Sequence, residues 1–401
     1  MTWRDEAPRF DRIPVLPRGQ GRSYGDSCLN EGGILLTTRG LDRFIAFDEQ
    51  TGVLRCEAGV TLGAILDVVV PRGWFLPVLP GTKHVSVGGA IANDIHGKNH
   101  HRAGTFGCHV RRLELVRSDG SRRVLAPGEA LFDATVGGLG LTGLITWAEV
   151  KLRRAPGPCI RMEALPFDDL DEFLRVNRES DASWEYTVAW IDSLSRSPGR
   201  GVFLRGDHAE GTARAPSRRL RVPLDFPAFT LNRYTVRTFN RVYRWTTRPG
   251  TRLVHYEPFF FPLDSVEGWN RIYGRPGFFQ FQCVVPQIAT IGSLLTRVAR
   301  AGSGSFLSVL KTFGDVKSPG ILSFPRKGFT LTLDFANRGA PTFTLLDELE
   351  REVRDAGGAL YPAKDAHMSR ETFLASSPRL SEFMPHVDPA FSSSFWRRVA
   401  G

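Results

Sequence analysis

LPVLPGTKHVSVGGAIANDIHGKNHHRAGTFG, Leu76 to Gly107, is the stretch that decides the reading. It joins the turn Pro80-Gly81-Thr82, the small cluster Gly88-Gly89-Ala90 and the polar string Asp94 to His101 in one region of very low side-chain bulk. Peptide groups in such a region can lie directly against a flat ring system, because few Cβ atoms stand in the way. His96, Lys98, Asn99 and His100 add hydrogen-bond donors and a titratable imidazole. Taken singly, each of these side chains is more often structural. Packed together with glycines, they favour a binding site.

Two further glycine runs flank this one. RGQGRSYGD, Arg18 to Asp26, follows the apolar Ile13 to Leu16, and Gly19, Gly21 and Gly25 allow a turn tight enough for N–H groups to converge on a diphosphate. It is not a Rossmann fingerprint, since the third glycine is misplaced and the chain runs on into a strand. Alone, it is equally well explained as a plain glycine turn. FDATVGGLGLTGLI, Phe132 to Ile145, suits either a turn beneath a cofactor or a packed turn.

The remaining pattern sets the architecture. A chain of 401 residues is too long for one core. The basic, Pro- and Gly-containing break at Arg153 to Pro158 predicts a domain boundary there. Before it come short strands, among them Gly33 to Thr37 and Gly143 to Val150, and a helix near Leu62 to Val70. After it, Ile288, Ile291, Leu294, Leu295 and Val298 predict a helix stopped by Gly302, and Leu345, Leu346, Leu349 and Val353 predict another ending at Gly357 and Gly358, followed by a strand at Ala359 to Tyr361. Strands are expected at Phe279 to Val285, Phe306 to Phe313 and Phe329 to Phe335. One face of these carries Gln280, Gln282, Thr330, Thr332 and Asp334, with Lys311 and Phe313 sharing a face of the middle strand. That polar row is either a solvated sheet face or one wall of a site completed by a partner domain.

Composition narrows the function. Hydrophobic residues make up 42% and charged residues 23%, a balance that excludes disorder and fibrous repeats. The five scattered cysteines show no CxxC pair and no zinc spacing, which predicts a reducing compartment and no structural metal. With no secretory leader pattern and no run of about 20 apolar residues, the expected location is cytoplasmic or peripheral to the cytoplasmic membrane. The net charge of +10 points to an anionic partner. A basic nucleic-acid-binding protein would explain the charge and leave the glycine runs unused. Arg196 to Arg221 reads as a mobile loop, and Arg233, Arg237, Arg241, Arg244, Arg248 and Arg252 recur at helical spacing, with Tyr234, Val242 and Trp245 on another face. That segment is either a solvated helix face or an attachment to an anionic membrane surface.

Taken together, these runs resemble the vanillyl-alcohol-oxidase/PCMH superfamily of FAD-linked oxidases, and within it the branch that acts on lipid-linked ribose. The motifs are GQGRSYGD at Gly19 to Asp26, the run Leu76 to His101, AW at Ala189 and Trp190, PLD at Pro262 to Asp264, GWNRIYG at Gly268 to Gly274, QFQ at Gln280 to Gln282, LKTFG at Leu310 to Gly314 and YPAKD at Tyr361 to Asp365. The resemblance covers nearly the whole chain. It implies a two-domain α+β fold: residues 1–157 a PCMH-type FAD-binding domain, 158–358 a substrate-binding domain built on an antiparallel sheet flanked by helices, and 359–401 a C-terminal segment returning to the FAD domain.

The resemblance also implies site residues. FAD, bound non-covalently, is expected against Gly19, Gln20, Gly21, Arg22, Ser23, Tyr24, Gly25, Pro80, Gly81, Thr82, Val85, Gly88, Gly89, Ala90, Asn93, Asp94, His96, Gly97, Asn99, His100, Ile145 and Tyr361. Substrate is expected against Lys98, Trp190, Gln280, Gln282, Lys311, Phe313, Thr330, Thr332 and Lys364. The implied reaction oxidises the 2-hydroxyl of a polyprenylphosphoryl-β-D-ribose to a ketone, with hydride passing to flavin N5, as one half of a ribose-to-arabinose epimerisation. Lys364 is the candidate base or substrate anchor, with His96 and Tyr24 beside it. An NADH- or NADPH-dependent short-chain reductase is the implied partner. The alternative is an oxidase of free polyols or sugar lactones, which needs no lipid-facing surface.

The chain departs from the branch pattern in places. Met1 lies close before the first glycine loop, so the segment that usually opens the FAD domain is largely missing from the sequence. Phe260 and Val188 stand where the branch carries a tyrosine and a serine, which removes two hydroxyls from the expected pocket. Thr332 stands where relatives carry a cysteine that nitroaromatic inhibitors modify covalently. Incubation with such an inhibitor should therefore add no mass to the intact protein, and an adduct mapped to this strand by mass spectrometry would contradict the reading.

Overall fold

Glycine turns cut the first 150 residues into short strands, and alternation decides how the strands pair. In the computed structural model, which describes residues 1–6, 13–195, 197–213 and 220–401, β1 (Val15–Arg18) and β2 (Ile34–Thr37) pair in parallel around the first glycine loop. Then come β3 (Phe44–Asp48), β4 (Val53–Glu57), helix α1 (Leu62–Val69) and helix α2 (Val87–Ala92). The hydroxyls of Thr61 and Ser86 cap these helices by accepting from Ala64 N and Gly89 N. Strands β5 (Val110–Val116), β6 (Arg122–Leu125) and β7 (Leu144–Lys151) complete an antiparallel five-stranded sheet in the order β3-β4-β7-β5-β6. Its core joins Leu54, Leu113, Leu115, Ala148 and Val150 to Ile65, Leu66 and Val69 of α1.

A second antiparallel sheet begins at β8 (Cys159–Phe167), just past the predicted break at Arg153 to Pro158. It is followed by helix α3 (Leu170–Asp181), β9 (Tyr186–Ile191), β10 (Gly201–Ala209), helix α4 (Arg233–Thr246) and β11 (Gly250–His255). The chain continues through β12 (Phe278–Val285), helix α5 (Ile288–Ala301), β13 (Val309–Phe313), β14 (Gly328–Ala336), helix α6 (Ala340–Asp355) and β15 (Ala359–Leu360). The strand order is β11-β8-β10-β9-β13-β14-β12-β15. The period-two pattern sorts the faces: Phe281, Cys283, Leu331, Leu333 and Phe335 are buried against Ile291, Leu294, Leu295 and Val298 of α5 and Leu345, Leu346, Leu349 and Val353 of α6. Each of the larger apolar side chains contributes about 1.5–3 kcal/mol on burial. Gly302, at φ +65°, ends α5 in the left-handed conformation.

Three expectations need correction. The strand predicted from Phe306 starts only at Val309, because side chains take over the local backbone bonding: Ser305 Oγ donates to Leu307 O (2.8 Å) and Trp190 Nε1 to Phe306 O (3.0 Å). The stretch Arg196 to Arg221, expected to be a loop, contains β10, whose Val202 and Phe203 are buried; the Arg and Gly around them hid the pattern. Arg196 and residues 214–219 of that stretch lie outside the described residues. The arginine stripe also breaks, since α4 ends at Thr246 and Pro249-Gly250 lead into β11, so Arg248 and Arg252 are not on the helix.

The C-terminal segment folds back on the first strand. Val15 N donates to Ala390 O (2.8 Å), Ser392 N to Val15 O (2.9 Å), and Tyr24 N to Ala363 O (2.9 Å). Arg398 pairs with both Asp26 (2.8 Å) and Asp365 (3.1 Å). This contact leaves no room at Gly25, where a Cβ would stand 1.4 Å from Asp365 O. Gly25→Ala should therefore destabilise the apoprotein by about 2–4 kcal/mol in denaturant titration. Gly81→Ala, at a position with open space, should stay within about 0.5 kcal/mol. Equal midpoints for the two variants would show that the C-terminal segment is not seated on this loop.

Candidate active site

The three glycine runs and the polar face of β12, β13 and β14 enclose one cavity of about 1010 Å³. Lining it are Gly19, Gln20, Gly21, Arg22, Ser23 and Tyr24 from the first run, and Pro80, Gly81, Thr82, Val85, Gly88, Gly89, Asn93, His96, Gly97 and Lys98 from the second. Ile145, Trp190, Gln280, Gln282, Lys311, Thr332, Tyr361 and Lys364 complete the set of predicted residues on its wall, and Val188 and Phe260 also reach it.

Seven predicted residues do not reach the cavity and stand behind its wall. Gly25 is pressed on Asp365 O, and Ala90 is fully buried in α2. Asp94 lies under the glycine runs at φ +40°, accepting from Gly107 N (2.8 Å) and from the hydroxyls of Ser318 and Ser323. Asn99 Nδ2 donates to Pro77 O and Glu185 Oε1, each at 2.9 Å. His100 packs on Phe313 (4.5 Å between rings), and Phe313 in turn packs on His96 (4.8 Å). Thr330 accepts from Gln282 Nε2 at 3.2 Å. These residues fix the shape of the wall from the far side.

The wall suits a flavin dinucleotide. Gly21, at φ +61°, reverses the chain where only glycine does so without strain. The low bulk of Gly19 to Gly21, Gly81, Gly88 and Gly89 leaves backbone exposed to the cavity. Two buried donors on its lining, Arg18 Nε and His96 Nδ1, have no protein partner among the described residues. Both need a hydrogen-bond acceptor, and a cofactor with phosphate oxygens and a polar ring edge supplies them.

The electrostatics of the same cavity are unusual. Lys98, Lys311 and Lys364 all line the cavity, and none of them makes an ion pair within 4 Å among the described residues. Burial, followed by repulsion from Lys311, pulls Lys98 down to about 7. Burial, followed by repulsion from Lys364, pulls Lys311 down to about 8. Lys364 is also lowered to about 8 by burial, against the pull of Asp334. The Lys98 ammonium donates to Phe259 O (2.7 Å) and Phe260 O (3.3 Å), while Lys364 Nζ sits 4.1 Å over the ring of Tyr24. His96 is held well below its ordinary value by burial and then by Lys311, so it is neutral. Its Nε2 lies 2.9 Å from Gln282 Nε2, and with that amide donating, its proton is on the buried Nδ1. Tyr361 anchors the ceiling by donating from its hydroxyl to Asn93 O (2.9 Å).

Sequence reading missed several groups. Arg18 opens the first motif yet carried no role. Tyr273 was missed too: it meets Asp334, already placed on the polar row by alternation, beneath Gln280, and the register that sets Gln280 opposite Asp334 was invisible without the strand pairing. Phe239 and Tyr243 of α4 line the outer cavity with Trp190 and Phe306, and no local signal pointed a basic helix inward.

The FAD binding domain family matches residues 6–126. The chain is 38% identical, over 96% of its length and 89% of the relative's, to decaprenylphosphoryl-β-D-ribose oxidase of Mycolicibacterium smegmatis. Partial matches run to alditol oxidase of a Streptomyces strain, 33% identical over 31% of this chain and 29% of that protein, and to a D-lactate dehydrogenase of Archaeoglobus fulgidus, 33% identical over 35% and 33%. The cavity and the matches agree on an FAD-dependent oxidoreductase of the PCMH type, and the near-full-length match shows that the chain belongs to the decaprenylphosphoryl-β-D-ribose oxidase family.

Proposed function

We propose that this chain oxidises the 2-hydroxyl of a polyprenylphosphoryl-β-D-ribose to the 2-keto sugar. The observation that carries the reading is the group of three half-buried lysines facing one cavity, none of them in an ion pair within 4 Å among the described residues. Each lysine sits below its ordinary value mainly through loss of water, and a bound phosphate would favour the ammonium forms of Lys98 and Lys311 by supplying the missing negative charge. A neutral polyol or lactone offers no such compensation, and the alditol oxidase match covers under a third of either chain.

In this reading residues 1–157 hold FAD, residues 158–358 bring the substrate wall and residues 359–401 carry Tyr361 and Lys364 back to the flavin. Bound FAD supplies the two-electron acceptor at the carbon that becomes the ketone. Lys364, as the free amine, takes the hydroxyl proton, and Tyr24 holds the resulting ammonium over its ring face. His96 and Gln282 offer neutral hydrogen bonds to the flavin and sugar, and Lys98, Lys311, Trp190 and Thr332 bound the substrate side. The ketone then requires a reduction on the opposite face to complete an epimerisation, the task of an NADH- or NADPH-dependent short-chain reductase partner.

A membrane contact fits the same substrate. Helix α4 turns Phe239 and Tyr243 towards the cavity, while Trp245 is 82%, Tyr234 63% and Val242 50% exposed on its outer side. Arg233, Arg237 and Arg241 flank those aromatic and apolar groups, and Arg244 is held by Asp168 at 2.7 Å. No helix among the described residues is long and apolar enough to cross a bilayer, so the contact would be a surface one.

With FAD-loaded protein, farnesylphosphoryl-β-D-ribose should yield the 2-keto product by mass spectrometry while xylitol is left unchanged. Lys364→Ala should slow substrate reduction of the bound flavin about 10²- to 10⁴-fold. Turnover of xylitol in preference to the lipid sugar would transfer the assignment to the polyol oxidases. Protein carrying Tyr234→Ser and Trp245→Ser should lose most of its flotation with phosphatidylglycerol vesicles while still oxidising detergent-dispersed substrate; undiminished flotation would remove α4 from the membrane contact.

A further inference from the structure

The wall of the cavity changes character from one end to the other. Strand register sets four side chains in one row across the large sheet: Gln282 of β12 opposite Thr332 of β14, Thr332 opposite Val309 of β13, and Val309 opposite Trp190 of β9. All four line the cavity. With neighbouring strands about 4.8 Å apart, the row runs for about 14 Å. At its inner end Gln282 Nε2 meets His96 Nε2 at 2.9 Å. At its outer end Val309 and Trp190 offer only carbon, because the indole N–H of Trp190 is taken up by Phe306 O at 3.0 Å. Lys311 stands where the change occurs, two residues from Val309 on the same face of β13.

Helix α4 continues the apolar end. Tyr243 packs on Trp190 with 4.7 Å between ring centres, and Phe239 stacks beside Tyr243 at 6.0 Å and meets Phe306 edge-on at 4.9 Å. Phe239, Tyr243 and Phe306 all line the cavity. If these rings served only to seal the edge of the sheet, Phe239 would be covered; instead it is 41% exposed. The protein therefore builds an apolar bay at the end of a polar site and leaves it unfilled.

We infer that the bay formed by Val309, Trp190, Phe306, Tyr243 and Phe239 binds the isoprenoid chain of the substrate, which crosses β13 and β9 from the Lys311 side and leaves past Phe239. The inference rests on a lipid-phosphate sugar as the substrate. Two features of the wall set the occupant: hydrogen-bonding groups give way to hydrocarbon within one cavity, and a lysine stands at the change. A sugar joined through phosphate to a prenyl chain matches these parts in order, whereas a free polyol ends at the polar part and leaves the rings in water. The branched prenyl units gain by removing apolar area from water and by close contact with the ring faces. Helix α4 is thereby a specificity element that selects tailed substrates and takes no part in the chemistry.

Photo-crosslinking locates the chain without turnover. Farnesyl phosphate carrying a diazirine on its terminal isoprene unit, irradiated with FAD-loaded protein and mapped by peptide mass spectrometry, should label α4 or the segment around Phe306. Label confined to the Leu263 to Asn270 side of the cavity overturns the inference. Calorimetric titration supplies a second readout: farnesyl phosphate should bind the FAD-loaded protein about 10-fold or more tighter than ethyl phosphate, and Phe239→Asp and Tyr243→Ser should each remove most of that ratio. Equal affinities in the wild-type protein, or a ratio that survives both substitutions, overturns the inference. If neither variant folds, the crosslink and the wild-type ratio decide it. The substrate reading fails separately. Tail affinity that depends on α4, with no oxidation of farnesylphosphoryl-β-D-ribose, supports the bay and removes the ribose assignment. Oxidation of that lipid sugar with the same KM as its ethylphosphoryl analogue overturns the bay and leaves the assignment standing.

Discussion

Three half-buried lysine side chains share one cavity, and most of the site follows from that constraint. Isolated buried cations are costly, and a protein answers by lowering their basicity or by supplying negative charge. Here both happen: Lys98 is lowered and tied to two main-chain carbonyls, Lys311 is lowered without an acid partner, and Lys364 is balanced in part by Asp334. The eight-stranded sheet can carry such a wall because its opposite face is apolar and packed by α5 and α6. The free energy of that packing holds the polar row in place, and the glycine runs supply the facing surface on which a flat cofactor can lie.

The two halves of the site depend on each other through the C-terminal segment. Residues 359 to 365 leave β15 at the edge of the large sheet and seat Tyr361 against Asn93 and Ala363 against Tyr24. One short stretch therefore fixes Lys364 relative to both the glycine loop and the strands. Helix α4 plays a comparable role at the outer end, since its inner aromatic residues line the cavity while its outer ones meet solvent.

Much of this was legible in the sequence wherever periodicity was strong. Helices α5 and α6 and strands β12 and β14 follow directly from apolar spacing, and Gly302 ends α5 as expected. The glycine runs announced a binding surface. What could not be read was depth: Asp94, Asn99, His100 and Phe313 share the motifs of the wall, yet the turn at Asp94 and the packing of Phe313 place them behind it. Bias also misled, because Arg and Gly disguised β10 as a loop, and helical spacing of arginines continued past the point where Pro249 ends any helix. The pairing of Gln280 with Asp334 depends on a register between strands about 50 residues apart, for which local pattern gives no information.

The central claim is that a lipid-phosphate ribose is oxidised at C2 inside this cavity. Its most direct test is anaerobic single-turnover mixing of FAD-loaded protein with farnesylphosphoryl-β-D-ribose carrying hydrogen or deuterium at C2, followed through the flavin absorbance. The account predicts rapid bleaching that deuterium slows several-fold, because breaking the C2–H bond is the step that reduces the flavin. A flavin that dithionite bleaches and the lipid sugar does not, or a bleaching rate indifferent to deuterium at C2 and sensitive to it at another carbon, would contradict it.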